Sequence, residues 1–315
     1  MTAAPLDIVY TWIDDSSPGF EEERRRYAKS PHDLNRQRTR DNLDLLKYSL
    51  RSVERFAPWR GVIHIVTQRP QAPGWLKVSH PGIRLVYLEE FMPAELIPCF
   101  NAFAIESYVH TIPSLSRRFV HFNDDMLLMA PAKRDDLEDA DGKLHYYFTR
   151  WLLPSEEKIA ERKPPFEAGR INTARALDKE FGKRRHPHQA HHPRIVDRED
   201  MERLIARFPS EFALTRAGRF RRHDTILPHI FLAAYLTESG QAHFHGARET
   251  NRLMWYVGLE DYAIWNRAIL WWAMRHRPTY LALNDNFGNP PSKAAENVAR
   301  RFLERRFPEP SAFER

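Results

Sequence analysis

Short apolar runs rich in β-forming side chains recur in the N-terminal part of the chain, and each of them ends in polar residues. Four of these runs read LDIVYTWIDD, GVIHIVTQ, IRLVYLEE and RRFVHFNDD. Residues 41–56 and the segment NAFAIESYVHTIPSL, up to Pro113, have apolar residues at helical spacing. Apolar runs that alternate with helices predict an α/β fold, with an open, mainly parallel sheet flanked by helices.

The polar residues that end these runs are expected to meet at one edge of the sheet, because ligands of such sheets bind at the carboxyl ends of the strands. They are Asp14, Asp15, Gln68, Glu89 and the triplet Asn123, Asp124 and Asp125. Carboxylates in this position are the usual way in which a protein holds Mg²⁺ against nucleotide phosphates. For the triplet alone, a polar turn between two buried strands stays the alternative.

The length and composition suit one large domain. With 315 residues, of which 42% are hydrophobic, the chain can build a proper core, and we expect a single catalytic domain over residues 1–315. Residues of about 150–192 become basic and proline-rich, which predicts a loop excursion. Helical spacing returns at Asp197, a helix is expected to stop at Gly240, and YAIWNRAILWWAMRH is expected to be a largely buried helix. An amphipathic C-terminal helix is expected at about 292–307, which gives the fold a helical C-terminal part.

The composition also argues against several classes of protein. The one cysteine, Cys99, excludes an internal disulfide and a zinc site built on several thiolates. The N-terminus lacks the basic start of a signal peptide, and no apolar stretch approaches the roughly 20 residues of a membrane helix, so we expect a cytoplasmic protein. The net charge of +6 suits an anionic partner or simple solubility, but no recognition motif for nucleic acid occurs, and nucleic acid is not an expected partner.

Histidines and arginines cluster in two segments of the C-terminal half. RRHPHQAHHPR holds four histidines, including His191, and RAGRFRRHDT holds four arginines and His223. A histidine of the first segment is a candidate general base, because imidazole transfers protons near neutral pH. The guanidinium groups of the second segment are candidates for bidentate phosphate binding. A flexible basic loop and a solvated basic face are the respective alternatives.

Two further polar groups belong with the strand-end residues. YLALNDN places Asn284, Asp285 and Asn286 after an apolar run, as HFNDD does earlier in the chain. Glu106 lies on the predicted helix within NAFAIESYVH and is expected to face the strand-end edge, although an ordinary exposed glutamate would fit the same pattern. Two apolar segments with the same kind of ending are harder to explain as unrelated turns.

Together these segments resemble the Stealth family of sugar-phosphate transferases, which includes bacterial capsular polysaccharide phosphotransferases. Four ordered blocks carry the resemblance, and they span residues 7–286. The blocks are DIVYTWIDDSSP, the long segment from RDNLDLLKYSL to RRFVHFNDDMLL, HHPRIVDREDMERLIARFPSEFALTRAGRFRRHD, and YLALNDN.

The resemblance implies a Rossmann-like, glycosyltransferase-A-like fold that works with Mg²⁺ or Mn²⁺. It implies transfer of a sugar-1-phosphate from a nucleotide sugar, usually a UDP-sugar, to a hydroxyl of a saccharide acceptor. A phosphodiester of a capsular polysaccharide or exopolysaccharide forms, and UMP or CMP is released. An enzyme of that kind would work in the cytoplasm, with the inner face of the plasma membrane as one place of action.

Position by position, the resemblance implies that His191 is the general base and that Arg222 stabilises the transferring phosphate, with Arg221 as the alternative register. Glu106 and Asp125 match acidic residues implicated in catalysis or metal binding, and Asp124 and Asp125 are the expected metal ligands. The expected substrate-binding residues are Asp14, Asp15, Asn123, Asp124, Asp285 and Asn286.

The chain departs from the family pattern at three positions. Asp15 stands where the family usually has glycine, and Ala102 and Phe103 replace a serine and a histidine in FNAFAIE. A metal-dependent glycosyltransferase that releases UDP and a non-catalytic sugar-nucleotide-binding relative therefore stay as alternatives. On the last helix, basic residues such as Arg301 and Arg305 suggest either contact with anionic lipid or, as the favoured interpretation, a solvated face. The pattern carries no prediction of the oligomeric state.

Overall fold

The structure is a computed structural model that describes residues 4–34, 43–154, 163–288 and 290–315. Its strands are β1 (Leu6–Thr11), β2 (Arg60–Thr67), β3 (Ile83–Tyr87), β4 (Arg118–Asn123), β5 (Met126–Leu128), β6 (His145–Leu152), β7 (Pro187–Gln189), β8 (Arg194–Asp197), β9 (His243–His245), β10 (Met254–Leu259) and β11 (Tyr280–Asp285). Within the described ranges they form one five-stranded and two three-stranded sheets.

The helices flank these sheets and make up most of the C-terminal half. They are α1 (Phe20–Tyr27), α2 (Leu45–Phe56), α3 (Ala102–Tyr108), α4 (Pro165–Phe181), α5 (Arg198–Arg207), α6 (Pro209–Arg216), α7 (Pro228–Glu238), α8 (Ala247–Leu253), α9 (Ala263–His276) and α10 (Lys293–Arg306). The cap predicted at Asp197 is confirmed, since its side chain accepts a hydrogen bond from the backbone N–H of Glu199. Gly240 has φ of 74° two residues after the end of α7, a conformation that favours glycine.

The five-stranded sheet confirms the expected α/β architecture. Its order is β3-β2-β1-β4-β8, in which the first four strands are parallel and β8 runs antiparallel to β4. The order 3-2-1-4 is that of a Rossmann-type sheet, which has a crevice between β1 and β4 where the winding direction reverses. The four strands predicted from the apolar runs are therefore all present, and each is found within a few residues of its predicted place.

A second sheet carries the C-terminal part of the chain. Its order is β10-β11-β5, with β10 and β11 parallel and β5 antiparallel to β11. One face packs on α9 and α10 through a cluster of buried side chains that includes Val257, Leu283 and Leu303. The predicted C-terminal helix is thus confirmed at Lys293–Arg306. Because β5 follows β4 after a two-residue turn, this sheet adjoins the carboxyl ends of the parallel strands.

Two expectations from the sequence are wrong in this structure. The region expected as a basic loop contains α4, whose Ala168, Ile171 and Leu177 are buried; residues 155–162 of the same region lie outside the described part. The helix expected to be largely buried, α9, buries only Asn266, Leu270 and Ala273 completely. Because the sequence of α9 is apolar on all sides, it does not show which side packs against the protein. In the structure one broad side of α9 is exposed to solvent.

Some boundaries shift for local reasons. The helix expected from residue 41 begins at Leu45, and residues 41 and 42 lie outside the described ranges. The helix that begins at Arg198 breaks at Phe208, because Pro209 starts α6. Of the helices that the structure describes, none combines the length and apolarity that a bilayer span requires.

Candidate functional site

A cavity of about 480 Å³ opens at the carboxyl ends of β1 and β4. Thr11, Trp12 and Ile13 line it from the end of β1, and Asn123 and Asp124 line it from the end of β4. This is the crevice where Rossmann-type sheets bind their ligands. The prediction that polar residues at the strand ends gather at one edge is therefore met by Asn123 and Asp124.

Aromatic side chains cover much of the cavity wall. The rings of Phe100 and Phe220 stack at 5.0 Å between centroids and 23° between planes, and both residues face the cavity together with Phe166. Flat aromatic surfaces of this kind accept a nucleobase by stacking. The sequence analysis did not identify any of these phenylalanines, which come from three segments far apart in the chain.

Arg24 contributes a buried guanidinium group to the same cavity. It is 4% exposed and lies on α1, one turn after the buried Phe20. Burial lowers the pKa of Arg24, and the nearby Glu21 and Asp15 carboxylates oppose that shift. A partly dehydrated guanidinium group that lines a cavity is a strong candidate for binding phosphate.

Of the two adjacent arginines in GRFRRHD, Arg221 and not Arg222 lines this cavity. The Arg221 guanidinium carbon lies 4.6 Å from the ring centroid of Phe103. Arg222 instead makes a two-point ion pair with Asp224, at 3.0 and 2.6 Å, and its side chain is 51% exposed. The structure thus places Arg221, the alternative register of the expected phosphate-binding arginine, in the wall of this cavity and Arg222 outside it.

The segment that carries Arg221 is held against the start of α3. The Asn101 side-chain amide donates hydrogen bonds to the carbonyl oxygens of Thr215 and Gly218, and the Phe100 N–H donates to the Arg219 carbonyl. These bonds are buried or partly buried, and they fix the backbone that directly precedes Phe220 and Arg221. The ring of Phe103, which departs from the family pattern in FNAFAIE, packs against the Arg221 guanidinium group.

His191 and Asp125 form a pair that adjoins the cavity-lining residues Asp124 and Glu106, although neither of the two lines the cavity itself. The His191 Nε2 lies 3.0 and 2.9 Å from the two Asp125 carboxylate oxygens. An ionised carboxylate accepts hydrogen bonds only, so Nε2 carries the proton and Nδ1 is left with a lone pair. Among the described residues, Nδ1 of His191 has no hydrogen-bond partner. This arrangement prepares His191 to accept a proton from a substrate group.

Glu106 lies in the wall of the cavity, as its position on the predicted helix suggested. Burial raises the pKa of Glu106, and Arg194 and Arg221 act in the opposite direction. Its carboxylate also lies 3.8 Å from Nδ1 of the buried His229. Glu106 is thus a carboxylate held beside two guanidinium groups, which is a suitable arrangement for fixing the position of Arg221.

Several expected substrate-binding residues have local structural roles. The Asp14 carboxylate accepts hydrogen bonds from the N–H and hydroxyl of Ser16, and Asp285 accepts one from the Phe287 N–H. Asp15 is buried and contributes an attractive charge to Arg24. None of Asp14, Asp15 and Asp285 is among the described residues that line the cavity.

Asn286 lies at a second position, at the end of the β10–β11 sheet. Its side-chain oxygen accepts a hydrogen bond of 2.6 Å from the Asn284 amide. Tyr256, on the adjoining strand, is half exposed and meets His191 edge to face at 6.2 Å between ring centroids. The residues of YLALNDN therefore do not line the cavity. They belong to or directly follow β11, in the sheet whose Tyr256 contacts His191.

Some site residues carried a sequence signal that was overlooked, and others carried none. Phe20, Arg24 and Tyr27 recur at helical spacing, which places Arg24 on the inner face of α1. Tyr256 gives no comparable signal, because its strand reads MWYVGL, without polar residues that would mark the exposed positions.

One region of the chain matches a known protein family. Residues 38–146 match the family model described as Stealth protein CR2, conserved region 2. That match covers α2, β2, β3, α3, β4 and the Asn123–Asp125 turn. The chain carries conserved region 2 of the Stealth proteins. The family expected from the sequence is thereby confirmed.

Relatives with curated names support this assignment over a greater length. An exopolysaccharide phosphotransferase of Streptomyces coelicolor is 31% identical over 322 residues, which cover 99% of this chain and 57% of the relative. The exopolysaccharide phosphotransferase CpsY of Mycobacterium tuberculosis is 31% identical and covers 98% of this chain and 58% of the relative. The capsular polysaccharide phosphotransferase SacB of Neisseria meningitidis serogroup A is 31% identical over 70% of this chain and 40% of its own length. The chain spans little more than half the length of the first two.

Among solved structures, the galactosyltransferase LgtC in complex with donor and acceptor sugar analogs is similar to this chain with a TM-score of 0.47 and 11% identity. The similarity covers 96% of this chain and 95% of the other.

Proposed function

We propose that this chain, as one catalytic domain, transfers a sugar-1-phosphate from a nucleotide sugar, with a UDP-sugar favoured, to a hydroxyl of a saccharide acceptor. UMP or CMP would leave, and the product would be a phosphodiester of a capsular polysaccharide or exopolysaccharide. The observation that carries this proposal is the His191–Asp125 pair beside a cavity that holds the Arg24 and Arg221 guanidinium groups. The names of the three relatives, each a phosphotransferase of exopolysaccharide or capsular polysaccharide, agree with it.

The cavity suits the donor in size and chemistry. A volume of about 480 Å³ lies within the range of small-molecule sites, roughly 300–1,000 Å³. The stacked Phe100 and Phe220 rings offer a surface for the base, and the two guanidinium groups offer charge for a pyrophosphate. Donor and acceptor would then meet near Asn123 and Asp124, the two cavity-lining residues that directly precede Asp125.

In this reaction His191 Nδ1 takes the proton from the acceptor hydroxyl while that oxygen attacks the phosphorus that bears the sugar. The new phosphorus–oxygen bond forms, the bond to the bridging oxygen of the pyrophosphate breaks, and the nucleoside monophosphate leaves with that oxygen. Asp125 holds the neutral imidazole in the tautomer that carries its proton on Nε2, and it stabilises the imidazolium that forms in the step. Arg221 and Arg24 hold the negative charge on the phosphoryl oxygens, where positioning and charge stabilisation supply most of the rate.

A divalent cation fits the site in one specific way. Among the described residues, no three metal-binding side chains converge on a point, and both oxygens of Asp125 face His191. Asp124, with the neighbouring Asn123 oxygen, fits an ion such as Mg²⁺ or Mn²⁺ that is held mainly by substrate phosphates and water. When bound there, the ion would neutralise pyrophosphate charge. We therefore assign the ion to Asp124 and propose that Asp125, which was expected to be a second metal ligand, acts with His191 instead.

Product analysis tests the proposal. Purified protein is incubated with Mg²⁺ and a panel of UDP- and CMP-sugars, with and without saccharide acceptors, and the released nucleotide is separated by anion exchange. Release of UMP or CMP supports sugar-1-phosphate transfer. Release of UDP would replace it by glycosyl transfer, and donor binding in calorimetry without any nucleotide release would indicate a non-catalytic relative.

A further inference from the structure

The exposed face of α9 is an unusual surface for a protein in water. Positions 264, 265, 268, 271, 272 and 275 lie on one side of this helix, because they repeat at intervals of three, four and seven residues. Their apolar side chains are widely open to solvent: Ile264 is 82% exposed, Trp265 53%, Trp271 61% and Trp272 52%. Tyr262, just before the helix, is 73% exposed. We call this set of residues the tryptophan face.

The opposite side of α9 packs against the protein core. The tryptophan face is therefore the solvent side of a helix that is already packed. Leu270 and Ala273 pack in the cluster that also contains Leu303 of α10. The buried Asn266 side chain accepts a hydrogen bond from the Glu260 N–H and donates one to the Glu260 carbonyl oxygen. The 14 residues of α9 therefore present a fixed apolar strip about 21 Å long.

Charge around the tryptophan face has a single sign. Residues 262–279 contain no aspartate or glutamate, but they contain Arg267, Arg275, His276 and Arg277. Within the described ranges, no carboxylate lies at ion-pair distance from Arg267, Arg275 or Arg277. The Arg275 guanidinium carbon lies 5.9 Å from the Trp271 ring centroid, so charge and aromatic surface are side by side.

We propose that the tryptophan face docks α9 in the plane of a lipid bilayer that carries acidic headgroups. Tryptophan and tyrosine prefer the boundary between headgroups and acyl chains, and arginine side chains next to them bind acidic headgroups. The inference is independent of the proposed transfer reaction, since it involves none of the residues of the cavity. On α10, by comparison, Arg300 approaches Asp44 and Arg306 donates to the Met129 carbonyl, so these two arginines have partners within the protein.

Two other occupants fit the surface less well. A saccharide needs polar side chains for its hydroxyl groups, whereas the one amide of α9, Asn266, is buried and bonded to the backbone. A second copy of the chain, docked through the same face, would bring Arg267 and Arg275 close to their own counterparts without any acidic partner from residues 262–279.

Co-sedimentation with lipid vesicles tests the proposal. The full chain is mixed with vesicles of phosphatidylcholine alone, or of phosphatidylcholine with phosphatidylglycerol, and the bound fraction is measured at low and high salt. We expect binding to the anionic vesicles that weakens with salt. The double variant Trp265→Ser/Trp271→Ser should lose this binding. The double variant Arg267→Gln/Arg275→Gln should bind the anionic vesicles roughly 30-fold more weakly, because each arginine near an acidic surface contributes about fivefold to the affinity.

A matched control is Trp151→Ser, because Trp151 is equally exposed at 61% and has Arg150 beside it, with the guanidinium carbon 4.7 Å from its ring. This variant should bind vesicles like the unaltered protein. Circular dichroism and nucleotide release, which need no membrane, show that the variants are folded. Absence of binding, equal binding to both vesicle types, or equal loss in Trp151→Ser would overturn the proposal. So would light scattering that shows a dimer dissociated by Trp265→Ser/Trp271→Ser.

Discussion

The role of the His191–Asp125 pair can be tested with one nearly isosteric substitution and one truncation. Asp125→Asn keeps the shape of the side chain, but its amide donates a hydrogen bond to Nε2 and so forces the imidazole proton onto Nδ1. His191→Ala removes the base altogether. A general base contributes roughly 10²- to 10⁴-fold to the rate, so each variant should lose about 3–5 kcal/mol of transition-state stabilisation.

The effect on folding should be small by comparison. The His191 side chain is 33% exposed and that of Asp125 12%, so the pair resembles a partly solvated ion pair, which typically contributes at most about 1 kcal/mol to the free energy of unfolding. The assay is the rate of nucleoside monophosphate release at saturating donor, with urea unfolding of each variant measured in parallel.

The chain supplies a matched control in a second histidine–carboxylate pair. His243 Nε2 lies 2.7 Å from Asp139, with both side chains about one third exposed, and neither residue belongs to the cavity. Asp139→Asn and His243→Ala should leave the release rate within about twofold of the unaltered value, because neither touches reacting groups. Near-native release by His191→Ala, or an equal loss in the control pair, would refute the assignment of His191 as general base.

Three more predictions concern charge. Arg221→Ala should lower kcat/KM by roughly 10²- to 10³-fold, whereas Arg222→Ala should change it little, which steady-state kinetics of both variants will show. Chelation with EDTA should abolish nucleotide release, and added Mg²⁺ should restore it; an unchanged rate would remove the cation from the proposal. Burial disfavours the charged form of His186, but hydrogen bonds to Glu238 and Asp178 outweigh this effect and raise its pKa. That stabilisation is complete below about 6.5, the value for unfolded chains, and is lost as the pH rises through the folded pKa, so urea titrations should show a fall that His186→Gln flattens.

Much of the sheet was predictable, because each of its first four strands is a separate β-forming run. Ile8, Ile63 and Val120 lie in such runs, and all are buried. The helix α4 was missed because its basic and proline-rich neighbours suggested a loop. Its own Gly169, Thr173 and Ala176 are nevertheless buried at intervals of four and three residues, which is helical spacing, and Pro165 occupies the first turn, where proline is tolerated.

The site was predictable to the level of segments but not of every side chain. Residues directly after a strand, such as Asn123 and Asp124, follow from the sheet. The choice between Arg221 and Arg222 depends on how Asn101 holds the preceding backbone, which no local pattern contains. Asp285 also stands at the end of a strand, yet its carboxylate accepts a hydrogen bond from the Phe287 N–H in the following turn. Whether such a carboxylate binds the backbone or a ligand depends on tertiary contacts, which the local sequence does not contain.

The antiparallel direction of β8 has a consequence for how this chain brings side chains to the ligand edge of its sheet. In a parallel sheet, only segments that follow a strand reach the ligand edge. Since Arg194 of β8 pairs with His121 of β4, the chain enters β8 at the same end at which it leaves β4, and His191 arrives there from the amino-terminal side. The reversed edge strand thus lets a preceding segment deliver the base.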